Sequence, residues 1–254
     1  MYAMNQMPAF EKPDRYKMSS YQSYNFKMPS RYDTCFWQKF CHTADWDRVV
    51  VSELRPDTAG LRILDVGCAT GRLLEQLAEA GATELFGIDL APRILEVARV
   101  KLLRAGATAE LRTADAEESL PWGGDFFDVV TLTGVLHHFF RPGDALGEVL
   151  RVLRPGGRLL VIDPCFFPPV RQLLNLALGV APHDGDFRFY SQTEAAGLLA
   201  EHGFEIKQVR RLGLWAFLAD AVKPGRTGNE LALAGNEPGH ADSKPGLAAN
   251  GKTT

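Results

Sequence analysis

The feature that most constrains this chain is a regular alternation of short apolar runs with segments of helical spacing. The runs are Arg62-Ile63-Leu64-Asp65-Val66, Leu85-Phe86-Gly87-Ile88, Glu110-Leu111-Arg112-Thr113, Asp128-Val129-Val130-Thr131-Leu132 and Arg158-Leu159-Leu160-Val161-Ile162. Each reads as a strand buried on both faces. Between them lie Leu73, Leu77 and Ala78 before Gly81, then Leu95, Ala98 and Leu102 before Gly106, and Leu146, Val149, Leu150 and Leu153 at i, i+3, i+4 and i+7. Pro92 and the glycines mark helix starts and ends. Such repetition needs right-handed crossovers, so it predicts an α/β fold: a doubly wound, mostly parallel sheet with helices on both faces. Ligands in these folds sit at the carboxyl ends of the strands, and the loops after each strand are where chemistry is expected.

The ends of the chain differ from this body. From Lys223 to Thr254 there are six Gly, three Pro and no aromatic residue, a composition that buries too little apolar surface to offset ordering entropy. A disordered tail is expected over 223–254. Residues 1–33 scatter Tyr2, Phe10, Tyr16, Tyr21, Tyr24 and Phe26 among polar residues and Pro, which fits either an arm that folds over a site or a loosely ordered leader. The predicted domain is 34–222. With both ends set aside, the body is acidic within a net charge of −3, which disfavours phosphate-backbone binding and so nucleic acid as a partner. Cys35, Cys41, Cys68 and Cys165 contain no CxxC pair, so reduced thiols are expected. No stretch has the apolar length of a membrane span or of a signal peptide core, and the expectation is a cytoplasmic protein without an integral membrane segment.

After the first strand comes Asp65-Val66-Gly67-Cys68-Ala69-Thr70-Gly71, leading into a helix. Small residues at 67, 69 and 71 let the backbone turn tightly and let a ligand approach free helix N–H groups. A purely structural tight turn has the same signature. The dinucleotide fingerprint G-x-G-x-x-G is broken here by Ala69 and Arg72, which removes support for pyrophosphate binding. Asp89 ends the second strand 22 residues beyond Gly67, near the spacing at which a carboxylate meets ribose hydroxyls. Its competing role is a helix cap before Leu90-Ala91-Pro92. Asp115-Ala116 occupies the equivalent edge after the third strand, where a carboxylate suits an exocyclic amine.

These residues together resemble the class I S-adenosylmethionine-dependent methyltransferases, in particular the small-molecule branch that includes quinone-biosynthesis C-methyltransferases. The resemblance is carried by Val66 to Gly71, Gly87-Ile88-Asp89, Ala114-Asp115-Ala116-Glu117, Phe127-Asp128-Val129-Val130, Val135-Leu136-His137-His138 and Arg151 to Gly157, spanning about residues 60–165. Ala69 departs from the family's G-x-G-x-G turn at its middle glycine. The resemblance implies seven strands with an antiparallel edge hairpin, for which Phe204 to Arg211 and Leu214 to Val222 are the candidates. It also implies that Gly67, Cys68, Ala69 and Gly71 hold the methionine portion of S-adenosylmethionine with Asp65 near its amino group. Asp89 would bind the ribose, Leu90 the adenine face, Asp115 the adenine amine and Ala116 the ring through its N–H. Leu132 and Thr133 would line the site beside the sulfonium.

Methyl transfer is an in-line displacement, so alignment and exclusion of water supply most of the rate. A phenolic acceptor would gain from a general base, and His137 or His138 stands in the right loop; the pair can equally brace that loop. His42, His183, His202 and His240 show no metal-ligand spacing. Asp163-Pro164-Cys165-Phe166-Phe167-Pro168-Pro169 leads into the apolar segment Val170 to Val180, either a lid over a hydrophobic or aromatic acceptor or a core helix. Phe36 and Phe40, with Trp37, favour packing ahead of Ala44-Asp45-Trp46, while Tyr32 is a candidate to close over the cofactor. The expected partners are a small-molecule acceptor and a second copy in a homodimer. Two rival readings remain: a methyltransferase-like scaffold or regulator that does not catalyse, and an NAD(P)-dependent oxidoreductase.

Overall fold

The structure, a computed structural model, describes residues 15–34, 43–56, 58–180 and 185–225. The expected tail beyond 225, the first 14 residues, Cys35, Phe36, Trp37, Phe40, Cys41, His42, His183 and His240 lie outside the described residues.

Strand β1 is Arg62–Val66, β2 Glu84–Asp89, β3 Glu110–Thr113, β4 Phe127–Thr133, β5 Leu153–Pro164, β6 Glu205–Leu212 and β7 Ala216–Val222. They form one seven-stranded sheet in the order β3-β2-β1-β4-β5-β7-β6. The first five run parallel, and β7 is antiparallel to both β5 and β6. Strand order reverses between β1 and β4, the switch point at which a doubly wound sheet opens a crevice. Val66 at the end of β1 is in register with Ile88 of β2 and Leu132 of β4, so three strand ends finish at one level.

The helices are α1 (Arg15–Gln22), α2 (Thr43–Leu54), α3 (Arg72–Glu79), α4 (Pro92–Arg104), α5 (Pro142–Val152), α6 (Pro168–Val180) and α7 (Gln192–Glu201). Alternation along β1 sorts them into two layers. Ile63 packs with Trp46, Val50, Leu74, Leu77 and Leu95 from α2, α3 and α4. Leu64 and Val66 pack with Leu146, Val149, Ala195 and Leu199 from α5 and α7. Pro92 opens α4, and α7 starts on a capping box: Ser191 Oγ accepts from Glu194 N at 3.1 Å while Ser191 N donates to Glu194 Oε2 at 2.7 Å.

Three sequence expectations need correction. β3 is an edge strand with Glu110, Arg112 and Thr113 exposed, because nothing beyond it pairs with its outer edge in the described sheet. Leu153 belongs to β5 and not to the preceding helix. The segment before Arg158 is drawn into the sheet by Leu153 opposite Phe127 and by Gly156 N donating to Lys223 O at 2.8 Å. The segment Val170–Val180 is a helix, but not a core helix: Leu178 is its buried residue, whereas Leu173, Leu176 and Val180 are exposed.

Residues 15–34 do not run free. Helix α1 has no strong apolar face of its own and is held from outside: Tyr16 OH donates to Leu178 O at 3.1 Å and its ring meets Phe187 edge-on at 5.0 Å. A π-turn at Ser23–Lys27 and a 3-10 turn at Tyr32–Thr34 follow. Among the described residues no helix is long and apolar enough to cross a membrane.

Candidate functional site

The turn after β1 is built on three left-handed residues: Gly67 at φ +74°, Ala69 at +46° and Gly71 at +72°. The amides of Gly67 and Cys68 both donate to Ile88 O at 2.9 Å, tying the turn to the neighbouring strand. A Cβ on Gly67 would lie 2.6 Å from Val135 Cγ2, so glycine is what lets the loops after β1 and β4 touch. The side chain of Cys68 points away from the turn toward β2, where a Cβ on Gly87 would come within 2.8 Å of its Sγ. Burial, with the nearby Asp65 and Asp89 charges, pushes that thiol well above its ordinary value, and Cys68 is a packing residue outside the cleft lining.

Asp89 lies across this turn at the carboxyl end of β2. Its Oδ2 accepts from Ala69 N at 3.1 Å and its Oδ1 from Ala91 N at 2.9 Å. Both sequence roles thus coexist, because a carboxylate has about four acceptor positions: it braces the approach to α4 and still lines a cleft. Burial lifts its pKa to about 6 against the pull of the amides of Ala91, Ala69 and Leu90. The cleft encloses about 700 Å³, part of it open to solvent. Gly67, Ala69, Asp89, Leu90, Asp115, Ala116 and Tyr32 all line it.

At the end of β3, Asp115 Oδ1 accepts from Glu117 N at 2.9 Å. Its Oδ2 is 2.7 Å from Lys17 Nζ, which also lies 2.6 Å from Glu117 Oε2. Glu117 is anchored in turn by Arg141 N donating to its Oε1 at 2.7 Å. The leader therefore reaches into the site and engages the carboxylate expected to meet an exocyclic amine. It is fixed a second time at Asp33, which accepts from Thr70 Oγ1 at 2.6 Å and from Lys101 Nζ at 2.5 Å. Between these anchors Ser20, Tyr24 and Tyr32 form a wall of the cleft, the two tyrosine rings meeting at 5.8 Å.

Asp65, Gly71, Leu132, Thr133 and His137 are not among the residues lining the cleft. Asp65 falls on the α2–α4 side of β1, buried, with Thr131 Oγ1 donating to it at 2.8 Å. Burial and the charges of Asp47 and Asp89 lift its pKa to about 8. Gly71 turns the chain into α3 beneath Ala98, and Leu132 packs in the core. The buried Thr133 hydroxyl has no hydrogen-bond partner among the described residues.

The histidine pair sits on a 3-10 turn, Leu136–His138, after β4. His138 lines the cleft, its Nε2 3.2 Å from Tyr24 OH. Burial and the adjoining His137 hold it well below the usual histidine range. His137 stands behind it, Nδ1 2.9 Å from Oδ1 of the fully buried Asp163. Burial opposes protonation there, yet Asp163 and then Asp186 bring His137 above its ordinary value. Sequence reasoning assigned no role to Lys17, Glu117, Asp163 or Asp186. Asp163, at a strand end, was the most discoverable. Lys17 is 98 positions from Asp115, and no local pattern announces such a pairing.

The acceptor carboxylates of Asp89 and Asp115, the apolar Ile88 and Leu90, and the glycine turn line one cleft whose chemistry fits an adenosyl compound. A family model described as a methyltransferase domain matches residues 64–161. A ubiquinone/menaquinone biosynthesis C-methyltransferase of Stutzerimonas stutzeri is 39% identical over 135 residues, 52% of each chain. A ubiquinone biosynthesis O-methyltransferase of Xanthomonas axonopodis pv. citri is 35% identical over 124 residues, 49% of this chain and 52% of the relative. The chain thus spans about half the length of the curated relatives it matches. Among solved structures, magnesium protoporphyrin IX methyltransferase from Synechocystis PCC 6803 with bound SAH aligns with TM-score 0.64 and 21% identity, covering 82% of this chain and 99% of that one. The [4+2]-cyclase SpnF aligns at 0.60 and 21%, covering 76% and 84%.

Proposed function

We propose, because residues 64–161 match the methyltransferase domain family, that this chain moves a methyl group from S-adenosylmethionine to a small aromatic or hydrophobic acceptor. The observation that carries this is Asp89, hydrogen-bonded to the Gly67–Ala69 turn, lining one cleft together with Asp115. When bound, S-adenosylmethionine supplies an electrophilic methyl carbon on a sulfonium. Asp89 accepts the ribose hydroxyls as a charged acceptor, which no neutral side chain does as well. Leu90 and Ile88 cover the adenine, with Asp115 and the Ala116 backbone at its edge. Gly67 admits the chain bearing the sulfonium without a Cβ in the way. The wall made by Ser20, Tyr24 and Tyr32 keeps water from the reacting atoms.

The relatives carry both C- and O-methyltransferase names, and both point to an aromatic acceptor. For a hydroxyl acceptor, His138 is the group in the cleft that receives the proton, being neutral near pH 7; His137, fixed by Asp163, backs it. A [4+2]-cyclase among the structural neighbours means that the test must see transfer and not cofactor binding alone. Incubation with methyl-labelled S-adenosylmethionine and a panel of phenols and quinols, read by mass spectrometry, should give labelled product. Tight binding of S-adenosylhomocysteine with no labelled product across the panel and a cell extract would favour the non-catalytic reading; binding of NADH in its place would favour the oxidoreductase.

A further inference from the structure

Two imidazoles and a carboxylate meet beside the cleft in an arrangement that general-base catalysis does not require. His137 Nε2 lies 3.6 Å and His138 Nδ1 3.4 Å from the same oxygen, Asp186 Oδ1. One ligand atom from each of the three residues falls within 4.8 Å of the others. Both separations exceed an ordinary N–H···O bond. They match the spacing of two donors on one ion: legs of about 2.0–2.1 Å at a tetrahedral angle place donor atoms about 3.4 Å apart.

The surroundings point the same way. His137 directs Nδ1 at the buried Asp163 carboxylate, which makes Nδ1 the protonated nitrogen and leaves the Nε2 lone pair toward Asp186. A carboxylate behind a histidine is the usual support of a metal ligand, since it fixes the tautomer and raises ligand basicity. His138 is oriented by the Tyr24 hydroxyl at its opposite nitrogen. Asp186 is set opposite both rings by its own loop, because Phe187 N and Arg188 N both donate to His137 O, at 2.8 and 3.1 Å. On the other side Gly185, at φ +90°, packs so closely on Ser20 that a Cβ would lie 2.3 Å from Ser20 Cβ.

We propose that His137 Nε2, His138 Nδ1 and the Asp186 carboxylate bind one divalent first-row transition ion of the zinc type at the wall of the donor cleft. Two imidazoles with one carboxylate select such an ion over Mg²⁺ or Ca²⁺, which take oxygen ligands. Three protein ligands leave coordination open, as in zinc sites that act on substrate. The site stands by itself. Its part in the reaction rests on the methyl-transfer reading: an acceptor hydroxyl bound to the ion would give its proton to solvent more readily, so the two rings would hold the ion where otherwise His138 takes the proton.

The test uses the full chain stripped with chelator and dialysed. Zn²⁺ titration by calorimetry should give one equivalent per chain, and Co²⁺ should develop visible d–d bands. Asp186→Asn and His137→Gln should each weaken Zn²⁺ binding by about 10-fold or more, and Asp163→Asn by about 10–100-fold, with Asp186→Glu recovering part of the loss. S-adenosylhomocysteine affinity measured alongside reports the integrity of each variant and of the donor site separately. If His137→Gln does not fold, Asp186→Asn, on a partly exposed loop, decides alone. No stoichiometric Zn²⁺ binding by the native chain, or binding unaltered in Asp186→Asn, overturns the proposal.

Discussion

Lys17 of the leader and Asp115 at the end of β3 are joined by an ion pair of 2.7 Å with both side chains nearly enclosed. The same ammonium lies 2.6 Å from Glu117 Oε2, so one cation bridges two carboxylates. Removing it leaves those two charges facing each other away from water, which costs far more than the pair's net stabilisation. Lys17→Met should therefore release residues 15–34 at a cost of about 3 kcal/mol. Hydrogen exchange checks it: amides of α1 should exchange about 100-fold faster, while β1 and β4 keep their protection. Unchanged exchange in α1 would show that Tyr16 and its aromatic partners hold the leader without the ion pair.

Asp65 contributes to a pH dependence of stability with an unusual sign. Burial raises its folded pKa to about 8, above the unfolded value, so the native state binds the proton more tightly. Stability is then greatest at low pH and is lost as pH rises from about 4 through 8. Asp65→Asn keeps an acceptor for Thr131 Oγ1 and removes the ionisation. The variant should melt higher than the native chain at pH 9, and the difference should shrink steadily toward about pH 4. A native chain that melts no lower at pH 9 than the variant would place Asp65 in contact with solvent.

Space and backbone geometry together require glycine at position 67. At φ +74°, with Val135 Cγ2 only 2.6 Å from the position of a Cβ, Gly67→Ala meets both left-handed strain and overpacking, together about 2–4 kcal/mol. Gly60 supplies the control, with φ +78° and, among the described residues, nothing within 4 Å of the position of a Cβ. Thermal melts should show Gly60→Ala losing only the backbone part, about 1–2 kcal/mol. Gly67→Ala should lose more, and S-adenosylhomocysteine affinity should fall in that variant alone.

How far the sequence discloses this molecule depends on whether a feature is local. β1, β2 and β4 are announced by short β-branched runs, and the hairpin candidates Phe204 to Arg211 and Leu214 to Val222 lie within two residues of β6 and β7. Asp89, Asp115 and the Gly67 turn are visible because each sits at the end of a strand that the pattern already places. Cys68 and Asp65 show the limit: which face a side chain takes within a turn or strand is decided by packing against α2, α3 and β2. The roof is less visible still. Lys17, Tyr24 and Asp186 act through contacts with residues about 50 to 115 positions away, and in the leader an irregular scatter of aromatics was the whole of the signal. Leu153 was misplaced because helical spacing continues into a residue that β-pairing with Phe127 then claims.

Asp89 ties the donor site to pH in the direction opposite to that of stability. Its folded pKa of about 6 is raised by burial, so the folded chain itself is favoured by protonation and loses stability as pH climbs from about 4 to 6. Binding of a ribose needs the other form, because a carboxylate accepts from both hydroxyls and a protonated carboxyl does so poorly. Affinity for S-adenosylhomocysteine should accordingly be flat above pH 7 and fall toward about tenfold per unit below pH 5.5. Asp89→Asn should weaken binding by about 1–3 kcal/mol at pH 7.5 and abolish the slope. Calorimetry at four pH values on both proteins measures the two effects together. A native affinity that does not change between pH 7.5 and 5, or a variant that binds as tightly as the native chain, removes Asp89 from the ribose and leaves it as a brace of the turn into α4.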